Sequence, residues 1–117
     1  MSSRFALLPS LIGVALCFAA CTPTVDDTDP RVETILDLEP DPDEGAIVFD
    51  ANCTAGGCHG PTGDDGAAPA LSDRVPMFSD EELLLIMLDG TSRMPAQSQL
   101  DDQEKSDVLA YITDTYD

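Results

Sequence analysis

The chain has 117 residues, enough for one small domain, and its 23 acidic side chains against five basic ones give a formal net charge of −18. All of the acids follow residue 20, so the remainder of the chain has a side-chain sum of −19, with only four basic residues. Such a surface repels phosphate groups, which excludes nucleic acid and anionic lipid as direct partners.

Residues 1–20 have the pattern of an export signal. Arg4 precedes an uncharged apolar stretch that Pro9 interrupts, and the stretch is shorter than the ~20 residues of a membrane-spanning helix. It ends in FAAC, which resembles a bacterial lipobox with Cys21 as the lipidated N-terminus; ordinary cleavage nearby is the alternative. We therefore expect an exported protein, anchored by lipid on the periplasmic side of a bacterial membrane. Thr22 favours the outer membrane under the sorting rule of enteric lipoproteins.

Residues 21–40 are acidic and contain three prolines. A segment of this composition buries little apolar surface and stays extended by charge repulsion. We expect it to be a tether between the lipidated Cys21 and a folded domain that spans residues 41–117.

Helix signals divide that domain into three main helices. Asp41 is a predicted N-cap with Pro42 in the first helical position, Ser79 and Glu82 form a predicted capping box, and a third helix begins near Asp101. Gly90 is the predicted end of the second helix, and no strand pattern of useful length appears. The fold class is therefore all-α, with long loops between the helices.

Two features of these helices require an explanation. Gly45 inside the first helix costs about 1 kcal/mol relative to alanine, which the close approach of another helix would explain. Residues 83–88 are all apolar, so the second helix must be covered on more than one side. Gly- and Pro-rich loops around such a helix suit a domain that wraps a planar apolar group.

The segment CTAGGCH carries Cys53, Cys58 and His59, the only histidine of the chain. Covalent haem attachment needs two thiols and a histidine directly after the second one, usually as C-x-x-C-H. Here four residues separate the cysteines, and the glycines of the insert let the chain loop out. The alternatives are a small disulfide loop and a metal site, although one histidine and two cysteines supply at most three ligands.

A sixth ligand to a haem iron would come from a second segment. Met94 is the candidate, because Pro95 favours an extended backbone that displays the preceding side chain from a loop. Met77 is a rival, and Met87 is expected in the core of the second helix.

Taken together, the motifs resemble those of the class I c-type cytochromes, from about Asp43 to Tyr116. The matching positions in this sequence are Gly45, Phe49, Cys53, Cys58, His59, Pro69, Leu71, Met94 and Tyr111. The resemblance implies one covalent haem c, with His59 and Met94 as axial ligands. It also implies that the Pro69 carbonyl accepts the imidazole N–H and that Leu71 lies on the haem. The C-x4-C-H spacing departs from the family pattern.

The function expected from the resemblance is electron transfer by a membrane-tethered carrier. The acidic surface is explained either by solubility and salt tolerance or by attraction to a redox partner with a basic docking patch. The alternatives are a haem enzyme or sensor with an open iron position, and a haem-free domain stabilised by a disulfide.

Overall fold

The computed structural model describes residues 28–117, so the predicted export signal, Cys21 and the first part of the predicted tether lie outside the described residues. Over this range the chain is all-α, as predicted, and contains no strand. The α-helices, in chain order, are α1 (Pro30–Leu36), α2 (Pro42–Asn52), α3 (Leu71–Arg74), α4 (Asp80–Asp89) and α5 (Asp102–Tyr116). Two 3-10 turns lie at Ala55–Gly57 and Val75–Met77.

The three longest helices, α2, α4 and α5, begin at the predicted caps. The Asp41 side chain accepts hydrogen bonds from the first turn of α2, and the capping box of Ser79 and Glu82 opens α4. Asp101 opens α5 with a second capping box, and α4 ends at Gly90, whose φ of 72° is in the left-handed region.

Helices α2 and α5 cross at Gly45, which confirms the expected helix contact. A Cβ at this position would overlap the backbone carbonyl of Asp107 and lie 2.9 Å from the Cβ of Tyr111. The buried Asp107 carboxylate also accepts the Asp41 N–H at 2.8 Å, so the start of α2 is fixed against α5. This crossing places Cys53, at the C-terminal end of α2, at the edge of the core.

Helix α1 lies within residues 21–40, where the sequence predicted an extended tether. Val32 and Ile35 are 1% and 0% exposed and belong to the hydrophobic core, whereas the composition predicted that the segment up to residue 40 buries little. The two apolar residues are three positions apart, so they share one face of a short helix that Asp29 caps. A single buried face is enough to dock the segment, despite its acidic composition.

Helix α4 is covered on two sides, as its continuous apolar run predicted. Leu84 is fully buried in the core, and Leu83, Ile86 and Met87 line a cavity on the other side. No helix within residues 28–117 is long and apolar enough to cross a bilayer.

Candidate functional site

The cavity beside α4 has a volume of about 850 Å³, within the usual range of ligand sites, roughly 300–1,000 Å³. Four parts of the chain surround it: the end of α2, the segment that contains α3, helix α4 itself, and the loop that follows α4. All six residues predicted to hold the cofactor line it: Cys53, Cys58, His59, Pro69, Leu71 and Met94. The fold thus brings two thiols, one imidazole and one thioether to the same cavity.

The insert between the two cysteines forms a short turn that projects from the domain. Gly56 and Gly57 have φ values of 67° and 76°, which other residues adopt only with strain, and nothing lies within 4 Å of the position where a Cβ would be. The insert therefore occupies open space, as the sequence predicted. A backbone hydrogen bond joins the two ends of the turn, because the His59 N–H donates to the Cys53 carbonyl at 3.1 Å.

The two cysteines are not joined by a disulfide. Cys53 is half-buried and Cys58 is exposed. Burial, with a smaller contribution from neighbouring Cys58, raises the pKa of the Cys53 thiol to about 11. The raised pKa keeps Cys53 a protonated thiol near pH 7, and both sulfurs belong to residues that line the cavity.

His59 is half-buried, and burial lowers the pKa of its imidazole. A lowered pKa keeps the ring neutral near pH 7, the form in which histidine ligates metals. Its Nδ1 atom is buried and has no hydrogen-bond partner.

The hydrogen bond expected from the His59 imidazole to the Pro69 carbonyl stays a prediction. The loop that carries Pro69 is held by its backbone, because the N–H groups of Ala67 and Ala68 donate to the carbonyls of Gly57 and Cys58, each at 2.8 Å. These two bonds fix the loop against the cysteine turn without using His59. Pro69 still lines the cavity.

Met94 is half-buried at the cavity, on a loop that is fixed by its own hydrogen bonds. The Met94 N–H donates to Thr91 Oγ1 at 3.0 Å, and the Met94 carbonyl accepts the Thr91 N–H at 2.7 Å. Gln97 is buried, donates from its side chain to the Pro95 carbonyl at 2.8 Å, and is tied through its N–H to Met87 in α4 at 2.7 Å. Thr91 and Gln97 were not predicted from the sequence, although a threonine three residues before Met94 is a local capping signal.

The two rival methionines occupy different environments. Met77 is 67% exposed and does not line the cavity, whereas Met87 is buried, belongs to the core and also touches the cavity. Within residues 28–117, Met87 and Met94 are therefore the methionines that line the cavity.

An aromatic cluster supports the site from the side of α5. The ring of Phe49 lies 6.4 Å from that of His59 and 5.2 Å from that of Tyr111, measured between centroids. The Tyr116 hydroxyl donates to the Thr62 carbonyl at 2.7 Å, so α5 also holds the loop after His59. The sequence identified Tyr111 in this helix but not the role of Tyr116.

The donor set of the cavity fits a haem. The site has an apolar lining, two free thiols, a neutral imidazole and a half-buried thioether, the groups that covalent attachment and axial ligation require. In the part of the chain that the structure describes, no three His, Cys, Asp or Glu side chains come together as they would around a metal ion alone. These residues therefore suit a metal held within a porphyrin better than a metal held by protein ligands only.

Comparison with known proteins identifies the family. A family model described as cytochrome c oxidase, cbb3-type, subunit III matches residues 40–112. A cytochrome c-553-like protein of Synechocystis sp. is 31% identical over 84 residues, which cover 72% of this chain and 78% of the relative. No solved structure matches the chain. With its all-α fold and its cysteine–histidine cavity, the chain belongs to this family of small c-type cytochromes, whose cofactor is haem c and whose activity is electron transfer.

Proposed function

We propose that this protein is a membrane-tethered carrier of single electrons, with one haem c attached through Cys53 and Cys58 and ligated by His59 and Met94. The observation that carries the proposal is the convergence of these four side chains on one apolar cavity of about 850 Å³. When bound, haem c supplies one-electron chemistry at its iron.

Each part of the site has its own task in this proposal. The two thiols retain the group covalently, and the neutral imidazole and the thioether fill both axial positions. A neutral thioether opposite histidine favours Fe(II) and raises the reduction potential. The apolar lining keeps water out, which lowers the solvent reorganisation that accompanies each electron transfer.

The proposal places the protein outside the cytoplasm. The FAAC motif supports export and a lipid at Cys21, and the acidic surface supports encounter with a redox partner that carries a basic patch. Replacement of Cys21 by serine tests the anchor and should release the protein to the soluble fraction or block its processing. Unchanged membrane fractionation of this variant would contradict lipid anchoring.

Covalent attachment is tested by denaturing gel electrophoresis with haem staining, together with a pyridine haemochrome spectrum of the intact protein. The stain should remain with the band, and a Cys58→Ala variant should lose one of the two thioether bonds, which shifts the haemochrome spectrum. Haem that extracts completely into acidified organic solvent would refute attachment.

Axial ligation is tested by comparing two methionine variants. Met94→Ala should lose the weak far-red band that arises from sulfur–iron ligation, whereas the matched control Met77→Ala should keep it, because Met77 lies outside the cavity. The reverse result would assign the ligand to Met77. Rapid peroxide turnover or tight CO binding by the unaltered protein would favour an open iron position, and therefore the enzyme or sensor alternative.

A further inference from the structure

Charge is distributed unevenly around the cavity. Although the chain carries 23 acidic residues, no aspartate or glutamate among residues 28–117 lines the cavity, whereas two of the four basic residues after residue 20 do. These two are Arg74, at the end of α3, and Arg93, directly before Met94.

The other two basic residues are engaged elsewhere. Arg31 pairs with Asp29 at 2.7 Å and with Asp89 at 2.8 Å, and the buried Lys105 donates to the Leu100 carbonyl. Within residues 28–117, neither Arg74 nor Arg93 takes part in an ion pair. Both arginines are exposed, so their guanidinium groups lie at the edge of the cavity and remain available to a ligand.

Neutral side-chain amides at the cavity are also engaged within the protein. Asn52 donates to the Val48 carbonyl at 2.9 Å, Gln97 to the Pro95 carbonyl at 2.8 Å, and Gln99 to Gln97 Oε1 at 2.7 Å. The two arginines are therefore the positively charged donors that the cavity offers to an anionic group.

A haem carries two propionate carboxylates, and an acidic protein pays a high electrostatic cost for holding two more negative charges without cations beside them. A guanidinium fork matches a carboxylate geometrically and can bind it through two parallel hydrogen bonds. We propose that Arg74 and Arg93 bind the haem propionates at the edge of the cavity; this inference rests on the proposed function, since it requires a haem in the cavity. One arginine comes from the segment that follows His59 and the other from the Met94 loop, so the pair also links the two halves of the site through the ligand.

The test is a redox titration of the intact haem-loaded protein across a pH series, with Arg74→Gln, Arg93→Gln and the matched control Arg31→Gln. Each variant loses one positive charge, but Arg31 does not line the cavity. Loss of a cation beside a propionate favours Fe(III), so the equilibrium constant for reduction should fall by about two- to fivefold for Arg74→Gln or Arg93→Gln, the usual range for one exposed charge pair. It should change less for Arg31→Gln.

The pH profile distinguishes a propionate contact from a general charge effect. An adjacent guanidinium lowers the pKa of a carboxyl. The reduction potential falls with rising pH as a propionate ionises, so removal of the guanidinium should shift this fall to higher pH. Arg93→Lys retains the charge and should restore most of the profile, and circular dichroism checks that each variant is folded.

The outcomes separate this inference from the function on which it rests. If the pyridine haemochrome assay finds no haem, the proposed function and this inference both fail. If haem is present and Arg74→Gln and Arg93→Gln behave like Arg31→Gln in potential and pH profile, only the propionate assignment fails. A change confined to the rate of reaction with anionic reagents would also overturn it, because the arginines would then serve an external anion.

Discussion

Met94 owes its position to Thr91. The Thr91 hydroxyl accepts the Met94 N–H at 3.0 Å, and its own N–H holds the Met94 carbonyl at 2.7 Å, so both polar groups of the Met94 backbone are fixed by one residue. A side chain on a loop can serve as a stable ligand only if the loop has few alternative conformations, since each one reduces the population of the ligated state.

Thr91→Val tests this arrangement, because valine keeps the shape of threonine and removes the hydrogen-bond acceptor. A net hydrogen bond contributes about 1 kcal/mol, so ligation by Met94 should weaken by roughly fivefold and the far-red sulfur–iron band should decrease. Thr91→Ser should retain the band, and Thr115→Val, an exposed change on α5, should leave it unaltered. An unchanged band in Thr91→Val would show that the loop holds Met94 without this contact.

Gly45 is the second residue on which the site depends, since it allows α2 and α5 to approach. Gly45→Ala should destabilise the protein by about 1–3 kcal/mol or more, because the added Cβ would overlap the Asp107 carbonyl. Helix propensity alone predicts the opposite, a gain of about 1 kcal/mol. Chemical denaturation decides between them, with Ile47→Ala on the exposed face of α2 as a near-neutral control. A more stable Gly45→Ala variant would contradict close helix packing.

Among the elements, α1 is the one that lies outside the family match, which begins at residue 40. Its buried pair, Val32 and Ile35, extends the core beneath α4 and α5, and Arg31 joins it to Asp89 at the end of α4. The connection to α2 is held by the Gln103 side chain, which donates to the Glu39 carbonyl at 2.9 Å. The contacts of α1 therefore support the helix that lines one side of the cavity.

Ile35→Ala should lower the free energy of unfolding by about 2–5 kcal/mol, as expected for a fully buried aliphatic side chain. Its neighbour Leu36 is 39% exposed, so Leu36→Ala should cost much less. Denaturation of the two variants under the same conditions gives the comparison. Equal costs would mean that α1 does not dock as described.

For the molecule as a whole, the net charge of −18 governs the long-range electrostatic interactions with other molecules in solution. Two ion pairs lie within residues 28–117, and both involve Arg31, so almost all of the negative charge is left to act on the surroundings. Long-range attraction should speed encounter with a cationic partner and weaken as salt screens it.

Stopped-flow reduction by two small reagents of opposite charge, across a series of ionic strengths, tests this steering. The rate with the cationic reagent should fall as salt is added, and the rate with the anionic reagent should rise. Rates that do not depend on salt would contradict electrostatic steering but would not bear on electron transfer itself.

Features that depend on residues close together in the chain could be predicted from the sequence. The caps at Asp41, Ser79 and Asp101 are local hydrogen-bond patterns, and C-x4-C-H predicts covalent haem attachment without any knowledge of the fold. The same holds for Gly45, because a costly glycine inside a helix already implies a close neighbour.

Features that depend on packing between distant segments could not be predicted from the sequence and became visible in the fold. Composition predicted an extended tether over residues 21–40, yet Val32 and Ile35 are buried, since two apolar side chains on one helical face are enough to dock a short helix against an existing core. The backbone bonds from Ala67 and Ala68 to the cysteine turn also depend on the fold, because they join segments about ten residues apart. The gathering of Arg74 and Arg93 at a cavity without acidic side chains is likewise invisible in the sequence, because their positions are set by how the loops fold around the site.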